Sequence, residues 1–172
     1  MRKLVAILSV FTFLFTGNLF AQKGDLKFGH INSVEILSMM PERDSARMKL
    51  QQYSQMLNQE MEAMQVEYSN KLQQYYDKQE TYTNLVRQAK ESELQDLERR
   101  IQQFQSSAQQ DYSQKEAELL QPIMKKLEDA INRVGEEHGF IYIFDISSGG
   151  VVFHSEKSVN ALPLVKKELG LE

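Results

Sequence analysis

Three histidines are the side chains of this 172-residue sequence best suited to metal binding or proton transfer. They are His30, His138 and His154, and they lie far apart in the chain, without the close ligand spacing of a zinc site. The sequence has no cysteine, and no Gly-x-Ser-x-Gly motif surrounds a serine. We therefore predict no catalytic residue, no metal and no cofactor, and we interpret the histidines as structural.

The stretch from Glu42 to Gln121 contains neither glycine nor proline over 80 residues. Those two residue types normally interrupt helices, and the stretch is rich in Gln, Glu, Lys, Leu, Met and Ala, most of which favour helix. A single rod of that length is unusual for a protein this small. The pattern therefore predicts a long helical hairpin, which suggests reaching and holding instead of catalysis.

Apolar side chains recur in this region at the helical period, in two seams. The first seam is Ala46, Leu50, Tyr53, Leu57, Met61, Met64, Tyr68, Leu72, Tyr75, Gln79, Tyr82 and Val86. The second is Leu94, Leu97, Ile101, Phe104, Ala108, Tyr112, Lys115, Leu119, Ile123, Leu127, Ile131 and Val134. Disorder is the other interpretation of so glutamine-rich a stretch, and the regular seams argue against it. We place the reversal at residues 83–92, where Thr83-Asn84 suits a turn.

Charged pairs and a proline modify these helices. Acidic and basic residues four apart should pair on the helix surface, at Glu67/Lys71, Asp96/Arg100, Asp111/Lys115 and Asp129/Arg133. Pro122 removes one helical hydrogen bond, so we expect a kink where a free arm meets a packed body. Gly139 suits the end of the second helix.

The remaining segments predict a small sheet with short helices. We expect strands at residues 27–31, 140–146 and 151–154, the last two joined as a hairpin through the turn at 147–150. A short helix at 33–40 precedes Pro41, which suits the first position of the long helix. A final helix covers Ala161 to Leu169, started either by Asn160 as a cap or by Pro163. The fold class is α+β.

The first 21 residues resemble a secretory signal peptide. Arg2 and Lys3 precede an apolar run, and Ala21 offers a cleavage point. An uncleaved anchor is the alternative, although the run is short for a membrane span. Cleavage after Ala21 removes two of the 20 basic residues, leaving 18 against 24 acidic ones and a net charge of −6. That charge argues against nucleic-acid binding.

Two groups of residues are candidates for binding. Met48, Met56 and Tyr76 lie off the seams and should be partly exposed, where flexible Met and amphipathic Tyr suit contact with unfolded chains. The strands are few and short, and residues 140–146 are apolar on both faces, so we expect copies of the chain to share a body. Its candidate residues are Phe28, Ile31, Ile141, Ile143, Val151 and Phe153.

The order of these elements resembles the Skp/OmpH family of periplasmic chaperones. The similarity covers the mature chain and includes Gly29-His30-Ile31-Asn32, Leu119-Leu120-Gln121-Pro122-Ile123, Ala130 to Val134, His138 to Asp145, Val165 and Leu169. The resemblance implies a jellyfish-like homotrimer in which a β-body carries three helical arms. It also implies a periplasmic location and ATP-independent binding of unfolded outer-membrane proteins in a cavity between the arms.

On this basis we divide the chain into four parts. Residues 1–21 are the signal peptide, 22–41 and 138–172 form the body, and 42–137 form the arm with its tip near 83–92. The arm carries more acid than base, unlike the basic arms of well-known family members, so no lipopolysaccharide site is assigned and transient contact with the membrane surface stays open. The alternative function is a structural coiled-coil adaptor or spacer of the cell envelope.

Overall fold

The computed structural model describes residues 26–171 of the chain. In chain order it contains β1 (Lys27–Ile31), α1 (Ser33–Met39), α2 (Pro41–Lys78), a 3₁₀ turn (Gln79–Thr81), α3 (Asn84–Glu137), β2 (Phe140–Asp145), β3 (Val159–Asn160) and α4 (Leu162–Leu169). The signal peptide predicted for residues 1–21, with its cleavage after Ala21, lies outside the described residues. Within residues 26–171, no helix combines the length and the apolar character needed to cross a membrane.

Helices α2 and α3 form the predicted long hairpin, here called the arm. Every residue of the two predicted seams is buried or half-buried except Val86, which confirms the periodicity argument. Side chains cross between the helices along the arm: the Tyr53 hydroxyl donates to Asp111, and Lys71 pairs with Glu93. The 38 residues of α2 reach about 57 Å at 1.5 Å per residue.

The chain reverses at residues 79–83, slightly before the predicted interval of 83–92. A 3₁₀ turn lets it leave α2 without glycine, and the Arg87 guanidinium donates to the Gln79 carbonyl across the bend, at 3.2 Å. The Thr83 hydroxyl then accepts the backbone N–H of Val86 at 3.3 Å and starts α3 at Asn84. Residues 84–92 consequently belong to the helix.

The sheet is entirely parallel, in the order β2-β1-β3. In register, Phe28 lies beside Tyr142 and His30 beside Phe144, with an irregularity between Lys27 and Phe28. Parallel neighbours require a long crossover connection. Between β1 and β2 that crossover is the entire arm, so the arm begins and ends beside adjacent strands.

The predicted hairpin of strands 140–146 and 151–154 is wrong, because residues 151–154 form no strand and β2 pairs with β1 instead. The Asp145 carboxylate accepts the Ser147 backbone N–H at 2.9 Å, and this turn directs the chain away from the sheet plane. The chain returns as β3, which sequence analysis missed, on the other edge of β1. The strands at 27–31 and 140–145 are confirmed.

One hydrophobic core joins the sheet to α1, the start of α2, the C-terminal part of α3 and α4. Its buried members are Ile31, Ile36, Met40, Ala46, Ile123, Leu127, Ala130, Val134 and Val165. Gly29 permits a close approach, since a Cβ there would lie 2.8 Å from a ring carbon of Phe140. Helix α3 continues through Pro122, and Gly139 follows its end with a φ of +67°.

The final helix begins at Leu162 with Ala161 at its N-cap and no side-chain cap, so Pro163 fits the prediction and Asn160 is not the cap. The Asn160 carboxamide accepts the Leu162 backbone N–H at 3.0 Å, and Pro163 lies in the first turn. Gly170 ends the helix in the left-handed conformation. Because Val165 of this helix is fully buried, α4 is part of the same core.

Candidate functional site

The three off-seam residues of the arm are exposed, as the sequence predicted. Their exposed fractions are 60% for Met48, 54% for Met56 and 56% for Tyr76. At 100° per residue, Met56 and Tyr76 lie about 160° apart around α2, with Met48 between them. The three side chains therefore form no single patch, and each presents apolar surface in a different direction.

Further large apolar side chains are exposed on the arm and were missed by sequence analysis. They are Val66, Leu85 and Met124, and Leu85 near the tip is 78% exposed. Each lies off the two seams, which is the signal that identifies such positions. The arm thus carries isolated apolar side chains along much of its length, separated by polar residues.

The six predicted body residues divide into two groups. Ile31 is buried in the core of the protomer, and Ile143 packs against that core, so both belong to the interior of a single chain. Phe28, Ile141 and Phe153 are exposed, and Val151 is half-buried. Of the six, these last four are the ones with surface available to another molecule.

An exposed aromatic face covers the side of the sheet opposite the core. Phe28 stacks beside Tyr142 with ring centroids 6.2 Å apart, and Tyr142 lies 5.7 Å from Phe144. All three are more than a third exposed. Tyr142 and Phe144 were not among the predicted residues. They alternate along β2 with half-buried Ile143 and Asp145, and this alternation indicates that Tyr142 and Phe144 share the opposite face.

Two of the three histidines meet at the edge of this face. The rings of His30 and His154 stack with centroids 4.1 Å apart, and His30 Nδ1 lies 2.9 Å from the Ser158 hydroxyl. Burial lowers the pKa of His30, and the neighbouring His154 lowers it further. Among residues 26–171, no three His or carboxylate side chains converge as metal ligands would. The pair holds the segment after β2 against the sheet.

Charges on the outer half of the arm are paired between and along the helices. Glu93 of α3 contacts Lys71 of α2, and Lys90 lies 2.8 Å away on its own helix. The hydrogen bonds from Lys71 and Lys90 lower the pKa of Glu93 to about 2. Near the tip, the Tyr75 hydroxyl donates to Glu91 at 2.6 Å. These contacts fix the relative position of the two helices where the apolar seam is thin.

A long two-helix arm emerging from a small parallel sheet places this chain among proteins with an extended helical arm. The chain belongs to the family described as outer membrane protein (OmpH-like), which it matches over residues 27–169. It is also 23% identical over 122 residues to the chaperone protein Skp of Vibrio cholerae, with 71% of this chain and 72% of the relative aligned. Family and relative together support a chaperone-type function.

Proposed function

We propose that this protein is an ATP-independent holdase of the periplasm, which binds unfolded outer-membrane proteins between its arms and keeps them from aggregating. The observation that carries the proposal is the arm, which buries one thin seam and exposes Met48, Met56 and Tyr76 in different directions. Flexible and amphipathic side chains suit partners without a fixed shape. The chaperone relative and the family membership support the same assignment.

The proposal includes a homotrimer assembled through the sheet. A sheet of three short strands with an exposed aromatic face is near the lower limit of independent stability. Contact between copies would cover Phe28, Tyr142 and Phe144. Several arms around one client would then add many weak contacts, which gives avidity without a defined binding geometry.

Light scattering tests the holdase directly. A urea-unfolded outer-membrane barrel is diluted into buffer with residues 22–172 and without nucleotide. We expect scattering to fall and the effect to saturate near one oligomer per client. Replacing Met48, Met56 and Tyr76 together by Ser should weaken the suppression several-fold, because apolar contact surface is lost at each of the three sites.

The matched control replaces the exposed polar residues Gln52, Gln103 and Gln110 by Ser. This variant makes the same number of changes at exposed positions of the arm, one on α2 and two on α3, and should suppress aggregation like the wild type. Unchanged scattering at excess folded protein would exclude a holdase for this client. That result, together with tight binding of one folded envelope protein, would favour the structural adaptor.

A further inference from the structure

A belt poor in charge crosses the middle of the arm. Residues 50–59 of α2 and 101–110 of α3 contain no charged side chain, and nine of these twenty residues are glutamine. The hydrogen bond from Tyr53 to Asp111 shows that the two segments lie alongside each other. By contrast, residues 91–100 hold six charged side chains. Uncharged amides are therefore concentrated at one level of the arm.

An open groove of about 1060 Å³ follows one flank of this belt. Uncharged side chains of α2 line its middle, namely Gln51, Ser54, Gln55, Asn58 and Gln59. A smaller groove of about 260 Å³ continues it toward Met61 and Phe104, since Ser54, Asn58 and Tyr112 line both. From Arg43 to Met61 the path is about 27 Å at 1.5 Å per residue, which equals about eight residues of extended chain at 3.3 Å each.

The chemistry of the groove matches that of a peptide main chain. Each Gln or Asn side chain offers an acceptor oxygen and two donor hydrogens, as a partner for N–H and C=O groups. Leu50 lines the first groove and Leu57 the second, which adds apolar surface. The charges on the rim cancel, because Arg43 and Arg47 are balanced by Glu62 and Glu116. The groove thus offers hydrogen bonds without attracting one sign of charge.

The same properties select against other partners. The N–H and C=O groups of a helix are already hydrogen-bonded within the helix. Another arm would therefore offer only its side chains as hydrogen-bond partners for the amides of the groove. Nucleic acids and anionic headgroups require a surplus of cations, which the lining does not supply. An extended chain, whose backbone groups are free, uses the groove most fully.

We propose that this groove binds the main chain of an extended, uncharged polypeptide segment and recognises its backbone amides instead of its side chains. The inference rests on the proposed holdase, since the segment would belong to the same unfolded clients. It adds a recognition mode that tolerates many sequences. The exposed Met and Tyr side chains would contact client side chains, while the groove holds the backbone.

Fluorescence anisotropy with the full mature chain tests the proposal. The probe is a dye-labelled neutral peptide of nine residues in which Thr alternates with Gly or Val. Its affinity is compared with that of the same peptide carrying N-methyl groups on alternate backbone amides. We expect N-methylation to weaken binding about tenfold, because two or three backbone hydrogen bonds are lost. Binding of the parent peptide should change less than about twofold between 50 and 500 mM salt, since no charge pairing is involved.

A pair of matched variants locates the site. Gln51→Ala/Gln55→Ala/Gln59→Ala removes three lining amides and should weaken peptide binding about fivefold. Gln52→Ala/Gln103→Ala/Gln110→Ala removes three belt amides that do not line the grooves, and should leave binding unchanged. Circular dichroism checks that both variants keep their helices, and the N-methylation comparison on the wild type stands without them.

Three results would overturn the proposal. The first is equal affinity of the wild type for the parent and the N-methylated peptide. The second is an equal loss of peptide affinity in both triple variants. The third is a groove variant whose oligomeric state changes while its peptide affinity does not, which would identify a second copy as the occupant. Aggregation suppression is measured on the same samples. If the wild type suppresses aggregation but N-methylation has no effect on peptide binding, the groove proposal is wrong and the holdase proposal stands. If the wild type does not suppress aggregation, the holdase proposal is wrong.

Discussion

At the scale of residues, Asp145 connects the end of β2 to the start of α1. Its carboxylate accepts the Ser33 N–H at 3.2 Å and the Ser33 hydroxyl at 2.5 Å, and also the Ser147 N–H at 2.9 Å and hydroxyl at 2.7 Å. Burial alone would raise the pKa of Asp145, but the hydrogen bonds from Ser33 and Ser147 outweigh it and keep the pKa below its usual range.

Replacing Asp145 by Asn should lower the free energy of unfolding by about 1–2 kcal/mol at pH 7, because charge-assisted hydrogen bonds are lost. Since the folded-state pKa is lowered, the stabilisation is complete above the unfolded pKa and disappears as the pH falls through the folded one. Urea unfolding should therefore show a smaller difference between variant and wild type at pH 3 than at pH 7.

The control for this prediction is Asp44→Asn. Asp44 is exposed and pairs with Arg47 three residues away on the helix surface, so its replacement should change stability by less than about 0.5 kcal/mol. A difference between Asp145→Asn and wild type that is equally large at both pH values would contradict the role assigned to the carboxylate.

Glu93 allows a direct measurement of the contact between the helices. Lys71→Gln should raise the pKa of Glu93 from about 2 toward its ordinary value, because the strongest of its two lysine hydrogen bonds is removed. NMR titration of the Glu93 side-chain carboxyl measures this shift. Lys71→Gln should cost less than about 1 kcal/mol of stability, since both side chains are about one-third exposed and solvent screens the pair.

The sign of the pH dependence follows from the lowered pKa. The Glu93 contribution is complete above the unfolded value of 4.5 and is lost as the pH falls toward about 2. Lys78→Gln serves as a control, because Lys78 lies on the same helix outside this group. An unchanged Glu93 titration in Lys71→Gln would mean that Lys71 is not its partner in solution.

At the scale of elements, the arm should unfold locally without the body. Leu97 is the most deeply buried α3 residue of the outer arm, at 3% exposure, while Val86 is the one exposed seam residue. Leu97→Ala should cost about 2–3 kcal/mol in the arm because it leaves a cavity in a thin seam. Hydrogen exchange should then accelerate around residue 97 and stay unchanged around residues 123–134.

Val86→Ala is the matched control for this element and should leave exchange nearly unchanged. Equal acceleration at residues 97 and 123–134 in Leu97→Ala would show that arm and body unfold as one unit. Because α3 is a single helix from Asn84 to Glu137, that outcome would mean that its continuity through Pro122 couples the unfolding of the arm to that of the body.

Sequence periodicity predicted the helices well, since each seam repeats many times and buries one face. It failed for the strand at 151–154, because local composition cannot show which segments pair, and here β1 lies between β2 and β3. It also failed for ion pairs: only Glu67/Lys71 forms as predicted, while Asp111 meets Tyr53 and Arg133 meets Glu168. Tertiary neighbours replaced the predicted partners of Asp111 and Arg133, while Asp96 pairs with Arg99 and Asp129 with Lys125 along the same helix. Side-chain exposure off the seams was predictable, but the combined groove was not, since it depends on the pairing of two helices.

At the scale of the whole molecule, the arm is the crossover between two parallel strands. Both of its ends therefore pack into the same hydrophobic core, through Ala46 of α2 and Val134 of α3. An arm about 57 Å long on so small a base gains stability if copies join through their sheets. The open aromatic face is the surface through which the proposed trimer would form.

Replacing Tyr142 and Phe144 together by Ser should dissociate the proposed oligomer. Both side chains are about half exposed in the single chain, so the substitutions remove little from the protomer core and much of the apolar surface offered to another copy. Analytical ultracentrifugation should show a monomer where the wild type sediments as a trimer. Circular dichroism should show the same helix content in both.

Val152→Ser is the control, because Val152 is 98% exposed and contributes nothing to the stacked aromatic face. Its mass should equal that of the wild type. The dissociated Tyr142/Phe144 variant should also lose most of its aggregation suppression, because one arm alone offers only weak contacts and the avidity of several arms is gone. A monomer that suppresses aggregation as well as the trimer would show that a single arm is sufficient to hold a client.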